Sequence, residues 1–369
     1  MSARLSSRRP PCWPAGNKTL VASIVAAVTA AALFGCAASP ANPEQAGPQS
    51  QANSSVTVVT HASFALSGEL KERFKQVTGY DLRIIQSEDA GTMVGQLILA
   101  KDNPVADAVA GIDNTFASKA IEAGIFDPYT SPAAGSEQDR YAVDQSGSLT
   151  AFDTADVCIN YDKAAYGSDR PPPASLQDLT KEAYRDQLVV ASPVSSSPGM
   201  AFMLATVAAF GQDGWLDYWR QLVGNGVKIV SSWEEAYYTE FSGPSSSGQR
   251  PLVLSYASSP PAEIVKGTSQ PATAALPETC FRQVEYAGVL KGAANPDGAR
   301  AWVDFVLSDE FQAALPESMW VYPVKEGIAL PSSWAKCAAP AAKPWALTPV
   351  EISQNREAWS REWIEVALG

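Results

Sequence analysis

Short β-branched stretches alternate with stretches of helical period over residues 55–256, and this alternation is what most limits the fold. Residues 55–61 carry Val56, Val58 and Val59 and end at His61, as a buried strand does. Leu66, Leu70, Phe74 and Val77 recur at helical spacing and predict an amphipathic helix over 66–77. Strands at 81–86 and 106–110 and helices at 92–100 and 116–123 repeat the pattern. It resumes with strands at 157–161, 188–190, 227–230 and 252–256, and with helices at 176–184, 199–210, 215–223 and 233–241. The spacing predicts one further helix over 299–315 and a terminal one over 351–368. Strands and helices alternating at this pace imply βαβ units and mixed, mostly parallel sheets flanked by helices, an α/β fold.

Two lobes joined by extended crossovers fit this order, with crossovers expected near 152–161 and 252–259. Residues 55–155 are assigned to the first part of lobe 1, 156–255 to lobe 2, 256–330 to a return to lobe 1, and 331–369 to a C-terminal helical tail packed on the lobes. Open α/β sheets bind ligands beyond the carboxyl ends of their strands. His61, Asp89, Asp113, the 192–199 turn, the 231–233 turn and Tyr256 are therefore expected to face one cleft.

The N-terminus constrains location. Arg4, Arg8, Arg9 and Lys18 precede an apolar run over 20–34, and no acid occurs before it. That is the layout of a secretory signal, and the run is shorter than the ~20 residues of a spanning helix. Leu33-Phe34-Gly35-Cys36 resembles a bacterial lipobox, which implies cleavage after residue 35 and lipidation of Cys36. The alternative is an ordinary signal with an incidental cysteine. Residues 36–54, rich in Ala, Pro, Gln, Ser and Asn, read as a flexible tether.

Beyond the signal the chain has 23 basic against 39 acidic residues. A balance of −16 speaks against nucleic acid and against anionic lipid, and it suits a cationic ligand. Three cysteines remain after Cys12 and Cys36. With one histidine and no Cys-x-x-Cys pair, a zinc cluster is not expected. In an oxidising compartment two of the three can pair. Cys158 and Cys280 lie near the lobe junctions and are the pairing adopted; a pairing through Cys337, or three free thiols, is the alternative.

Several segments, in order, carry a resemblance: Thr60-His61-Ala62-Ser63-Phe64, Glu88-Asp89, Gly111-Ile112-Asp113-Asn114, Ser195-Ser196-Ser197-Pro198-Gly199, Ser232-Trp233-Glu234-Glu235-Ala236-Tyr237, Leu252-Val253-Leu254-Ser255-Tyr256, Ser258-Ser259-Pro260 and Trp320-Val321-Tyr322-Pro323-Val324. Together they resemble the thiamine-binding, periplasmic-type substrate-binding proteins of ABC importers. The resemblance implies the two-lobed type II periplasmic binding protein fold, with the ligand cleft between the lobes. It implies thiamine or a thiamine phosphate as ligand, an ABC permease as partner, a monomer, no cofactor, no metal and no catalysis. It further implies that Trp233, Tyr256 and Trp320 stack on the ligand and that Asp89 bonds to the aminopyrimidine. Ser196, Ser197 and the turn before Gly199 would face the hydroxyethyl or phosphate end, with His61 and Tyr237 also at the site. His61 would be mostly uncharged near neutral pH. The chain departs from the family at His61 and Ala62, where relatives have Tyr and Asp, at Ala90 for Gly, and at Ala262 for Tyr.

Two other functions compete. Tyr237-Tyr238 with His61 could bind ferric iron on the same fold. Thiamine-degrading enzymes share the fold, and Cys158 would be the nucleophile.

Overall fold

The computed structural model describes residues 54–369, so the signal, Cys36 and all but the end of the tether lie outside the described residues. The elements follow in chain order: β1 (Ser55–Thr60), α1 (Gly68–Thr78), β2 (Asp81–Gln86), α2 (Ala90–Leu99), β3 (Ala108–Asp113), α3 (Ala117–Glu122), β4 (Phe126–Asp127), α4 (Glu137–Tyr141), β5 (Thr150–Asp162), β6 (Leu188–Ala191), α5 (Ser197–Gly224), β7 (Lys228–Val230), α6 (Trp233–Glu235), β8 (Leu252–Tyr256), β9 (Thr273–Ala275), β10 (Phe281–Leu290), α7 (Pro296–Phe305), α8 (Asp309–Ser318), β11 (Tyr322–Pro323), α9 (Trp334–Cys337) and α10 (Pro349–Ala367).

The strands form one mixed sheet whose main path runs β2-β1-β3-β10-β5-β8-β6-β7. Parallel pairs occupy both ends, β1 with β2 and β3, and β6 with β7 and β8. The centre is antiparallel. The 13-residue β5 pairs with β10 along its first part and with β8 along its second, so one strand carries the chain through both halves of the sheet. The crossover expected at 152–161 falls inside it. β9 still pairs with Asn160, Tyr161 and Asp162, so the path returns to its first half at β10 rather than at residue 256.

Several expected helices differ in detail. Residues 199–223 lie in one helical run, but Gly211 at φ +68° breaks it into the two expected segments. The helix expected over 176–184 is two short 3-10 turns, Gln177–Thr180 and Glu182–Tyr184. The expected 299–315 helix ends at Phe305 and restarts at Asp309, because the Ser308 hydroxyl accepts the Phe311 N–H and caps a new helix. The helix expected at 233–241 is α6 followed by a π turn, Ala236–Glu240.

The core is aromatic. Trp302 is fully buried among Phe64, Phe74, Phe305 and Phe311 under the first half of the sheet. Under the second half, Trp219 packs on Phe202 and on Trp363 of α10, so the terminal helix closes the core instead of trailing from it. Cys158 and Cys280 are bonded to each other, and Cys337 is free. Both bonded cysteines are buried beside the junction of the two halves.

Candidate functional site

The site forms at the carboxyl ends of β1, β3, β6, β7 and β8. In the second half, Ser232 caps α6 by accepting the Glu235 N–H, and this presents Trp233 at the first helical position. The indole stacks on Tyr237 at 5.1 Å between ring centroids and lies 5.9 Å from Tyr256. Its Nε1–H donates to Ser255 Oγ at 3.1 Å, and Ser255 in turn bonds Ser259 at 2.9 Å. The π turn is what places Tyr237 under Trp233, a use of π geometry common at binding sites. Trp233, Tyr237 and Tyr256 thus form one aromatic wall.

Beside that wall the long helix α5 begins at Ser197. Gly199 packs against the β6 end so closely that a Cβ would meet Ala191 O and Ser192 O at 2.5 Å. Ser196 and Ser197 are buried, and their hydroxyls have no hydrogen-bond partner. Two orphan hydroxyls at the N-terminus of a helix make an anion- or hydroxyl-binding corner.

The first half supplies the facing groups. Asp89 sits at the N-cap position of α2 but makes no side-chain cap bond; its Oδ2 instead accepts the Trp233 N–H at 3.0 Å across the cleft. Thr92 N–H donates to Ser195 O at 3.3 Å, and Ser63 Oγ to Glu234 Oε1 at 3.4 Å. The two halves therefore meet directly at this site. Asp89 reaches Trp233 and the second half rather than standing clear of it. Trp320 lies apart from the Trp233 wall. It stacks on Trp334 at 6.1 Å, and its carbonyl accepts a hydrogen bond from Ser258.

His61 differs from the expectation. Its ring lies over Gly111, where a Cβ would meet His61 Cδ2 at 2.3 Å, and its Nε2 is 3.4 Å from Glu285 Oε2. Burial disfavours the imidazolium, but the Glu285, Asp89 and Asp113 charges outweigh burial and raise its pKa. This setting favours the imidazolium more than water does. Sequence reasoning missed Glu285, buried beside it, and Asp153, buried opposite Glu285 on β5; acids within long strands gave no motif to find.

Asp113 caps the turn before α3, accepting the Thr115 N–H at 2.6 Å. Burial still raises its pKa to about 7. The folded protein therefore holds a proton that the unfolded chain has released, and this group costs stability as pH rises from about 4 through 7. Asp113→Asn keeps the cap acceptor without the buried charge. It is expected to stabilise the protein by about 1–4 kcal/mol at pH 8 and to change little at pH 4. Urea unfolding at the two pH values checks this; an equal effect at both would show that the charge is not the cause.

The iron and enzyme readings lose their groups here. Tyr237 is buried against Trp233 with its pKa raised by burial and by Glu263, while Tyr238 is half exposed, so the pair does not offer two phenolates to one ion. Among the described residues no cluster of His, Cys, Asp and Glu has the arrangement of a metal site. Cys158 is buried and disulfide-bonded, which removes it as a nucleophile.

Comparison with known proteins agrees with this geometry. The chain is 29% identical over 316 residues to the thiamine-binding periplasmic protein of Escherichia coli K12, covering 84% of this chain and 92% of that one. The solved structure of a periplasmic thiamin binding protein superposes with a TM-score of 0.74 at 27% identity, covering 85% of this chain and 96% of the other. Iron uptake protein A1 of Synechocystis is more distant, at 24% identity over 316 residues, 82% of this chain and 84% of that protein. The model of the bacterial extracellular solute-binding protein family matches residues 103–344, and the chain belongs to that family, with the type II periplasmic binding protein fold.

Proposed function

We propose that the protein is an extracytoplasmic receptor that captures thiamine, or one of its phosphates, between the two halves of the fold and delivers it to an ABC permease. The observation that carries this reading is the Trp233–Tyr237–Tyr256 wall set directly against Asp89 and the Ser196–Ser197 corner. A thiazolium is a delocalised cation, and each aromatic face in reach of it contributes about 0.5–2 kcal/mol. An aminopyrimidine offers an amine that a carboxylate such as Asp89 engages. A hydroxyethyl or phosphate end suits the orphan serine hydroxyls at the start of α5. Trp320 would close the cleft from the return segment.

The chain would be exported by its N-terminal signal and held at the membrane through Cys36, acting as a monomer. The resemblance to thiamine-binding relatives in fold and sequence supports the ligand; the Leu33–Cys36 motif supports the anchor. Protein beginning at residue 54 is expected to bind thiamine with one site per chain by calorimetry and to lose tryptophan fluorescence on binding. Neither heat nor quenching with thiamine, its monophosphate or its diphosphate would remove the reading.

A further inference from the structure

β10 lies between β3 and β5, and both pairings slip by one residue at successive steps of β10, between Tyr286 and Ala287 against β3 and between Glu285 and Tyr286 against β5. Against β3, Tyr286 faces Ile112 while Ala287 faces Ala110, which leaves Gly111 as the extra residue. Against β5, Glu285 faces Asp153 while Tyr286 faces Ala151, which leaves Phe152 as the extra residue. Gly111 fits this role with φ +89°, a conformation glycine adopts without steric cost. Bulges re-aim side chains, since a slip of one residue moves a side chain to the other face.

The result is that Asp113, Glu285 and Asp153 stand opposite one another on three adjacent strands. Directly opposed residues of an antiparallel pair share a face, so the three carboxyl groups form one row. The row is dry: Asp113 and Asp153 are fully buried and Glu285 is 5% exposed. Opposed acids in a buried row repel one another, and each desolvated charge is costly unless paired.

The row is also under-partnered. Asp113 Oδ2 and both oxygens of Asp153 receive no hydrogen bond. Thr60 Oγ1, fully buried, has no partner either. Thr60 faces Ala110, and the Gly111 bulge puts Ala110 on the face of Asp113, so this hydroxyl is aimed at the same row.

The groups around the row are identifiable from every side. His61 from the end of β1 contacts Glu285. Gln283 Nε2 donates to Glu285 Oε1 at 3.1 Å. Asp89 from the start of α2 and Tyr256 from β8 complete the surroundings, with the Glu285, Asp89 and Asp113 charges acting on both His61 and Tyr256. Tyr256 belongs to the aromatic wall, so the row underlies the cleft rather than some remote part of the sheet.

We propose that Glu285, flanked by Asp113 and Asp153 and covered by His61, is a proton-exchanging subsite for the positively charged part of an organic cation bound in the cleft. The ligand's positive charge replaces the imidazolium beside Glu285. His61 then becomes neutral and its proton passes to solvent. Asp113, which titrates at about 7, faces the same charge, so only the release that is lost with His61 or Glu285 counts toward the subsite. Burial opposes the His61 charge, but its acidic neighbours raise its pKa above the free value, which favours the imidazolium that the cation displaces. The inference rests on the reading that the cleft binds thiamine, whose thiazolium is such a cation.

The test is thiamine calorimetry on the chain from residue 54, at pH 7 in buffers of differing ionisation heat, with affinity measured from pH 6 to 8. Wild type is expected to release up to one proton per thiamine bound, and its affinity to rise by up to tenfold per pH unit over part of that range. Glu285→Gln is expected to weaken binding, to reduce proton release toward zero and to flatten the pH dependence. His61→Phe, which keeps a ring in place and so guards against a misfolded Glu285→Gln, is expected to bind thiamine with little proton release. Tight binding with no proton release and a flat pH profile would overturn the subsite while leaving the thiamine reading standing. One proton released from both variants would also overturn it. No thiamine binding at any pH would overturn both.

Discussion

Trp233→Ala is expected to weaken thiamine binding by roughly 10- to 1000-fold, about 1–4 kcal/mol, with folding intact. The indole is the centre of the aromatic wall: it stacks on Tyr237, meets Tyr238 edge-on and leans on Tyr256. Truncation removes the face offered to a delocalised cation and frees Ser255 from the indole N–H. The backbone N–H that Asp89 accepts is retained in the alanine variant, so the loss isolates the ring rather than the bridge between the halves. A ligand shifts an open–closed equilibrium only through contacts that differ between the states. The variant should therefore also compact less on adding thiamine in small-angle scattering. Unchanged affinity would place the ligand somewhere else.

The second large effect is on stability. Trp363→Ala should cost about 3–5 kcal/mol, the range for truncating a buried tryptophan. Trp363 is fully buried and meets the edge of Trp219 at 5.3 Å, while Trp219 donates its Nε1–H to Thr206 at 3.0 Å. One turn earlier, Trp359 Nε1–H donates to Gln212 Oε1, so both rings of α10 dock on α5. The helix itself starts with a capping box, Thr348 and Glu351, with Pro349 at its first position, and will still form. The damage is to packing, away from the cleft, and thiamine affinity should stay within twofold. Urea denaturation with parallel calorimetry decides it: a cost below 1 kcal/mol, or lost binding in a folded variant, would contradict the packing described.

The strands built from Val, Ile and Leu were legible because a buried strand needs little besides apolar residues. The Trp233, Tyr256 and 195–199 segments were legible as neighbours because strand ends converge in an α/β sheet. β5 was only partly legible. Only 157–161 was read as strand, within a crossover over 152–161; the first half contains Asp153 and Asp156, and the structure buries both, with Asp156 paired to Arg282 and accepting the Ala341 N–H. The row at Glu285 was beyond reach of sequence for a different reason. It depends on how β10 registers with β3 and β5 beside two neighbouring bulges, and register is a property of pairing between segments more than a hundred residues apart. His61 was read as a neutral strand-end residue because the acids that raise its pKa arrive from β10, β3 and the start of α2.

The position of β10 has a consequence for how the chain is made. It is the strand between β3 and β5, yet it begins at Phe281, some 130 residues after the start of β5. As the polypeptide emerges, β1, β2 and β3 can associate early but leave β3 with a bare edge, apolar apart from Asp113 at its end, until β10 is available. An exposed edge of that kind invites pairing with other chains. A half-made molecule is thus its most aggregation-prone form, and premature termination anywhere before Leu290 yields a product that cannot seal its own sheet.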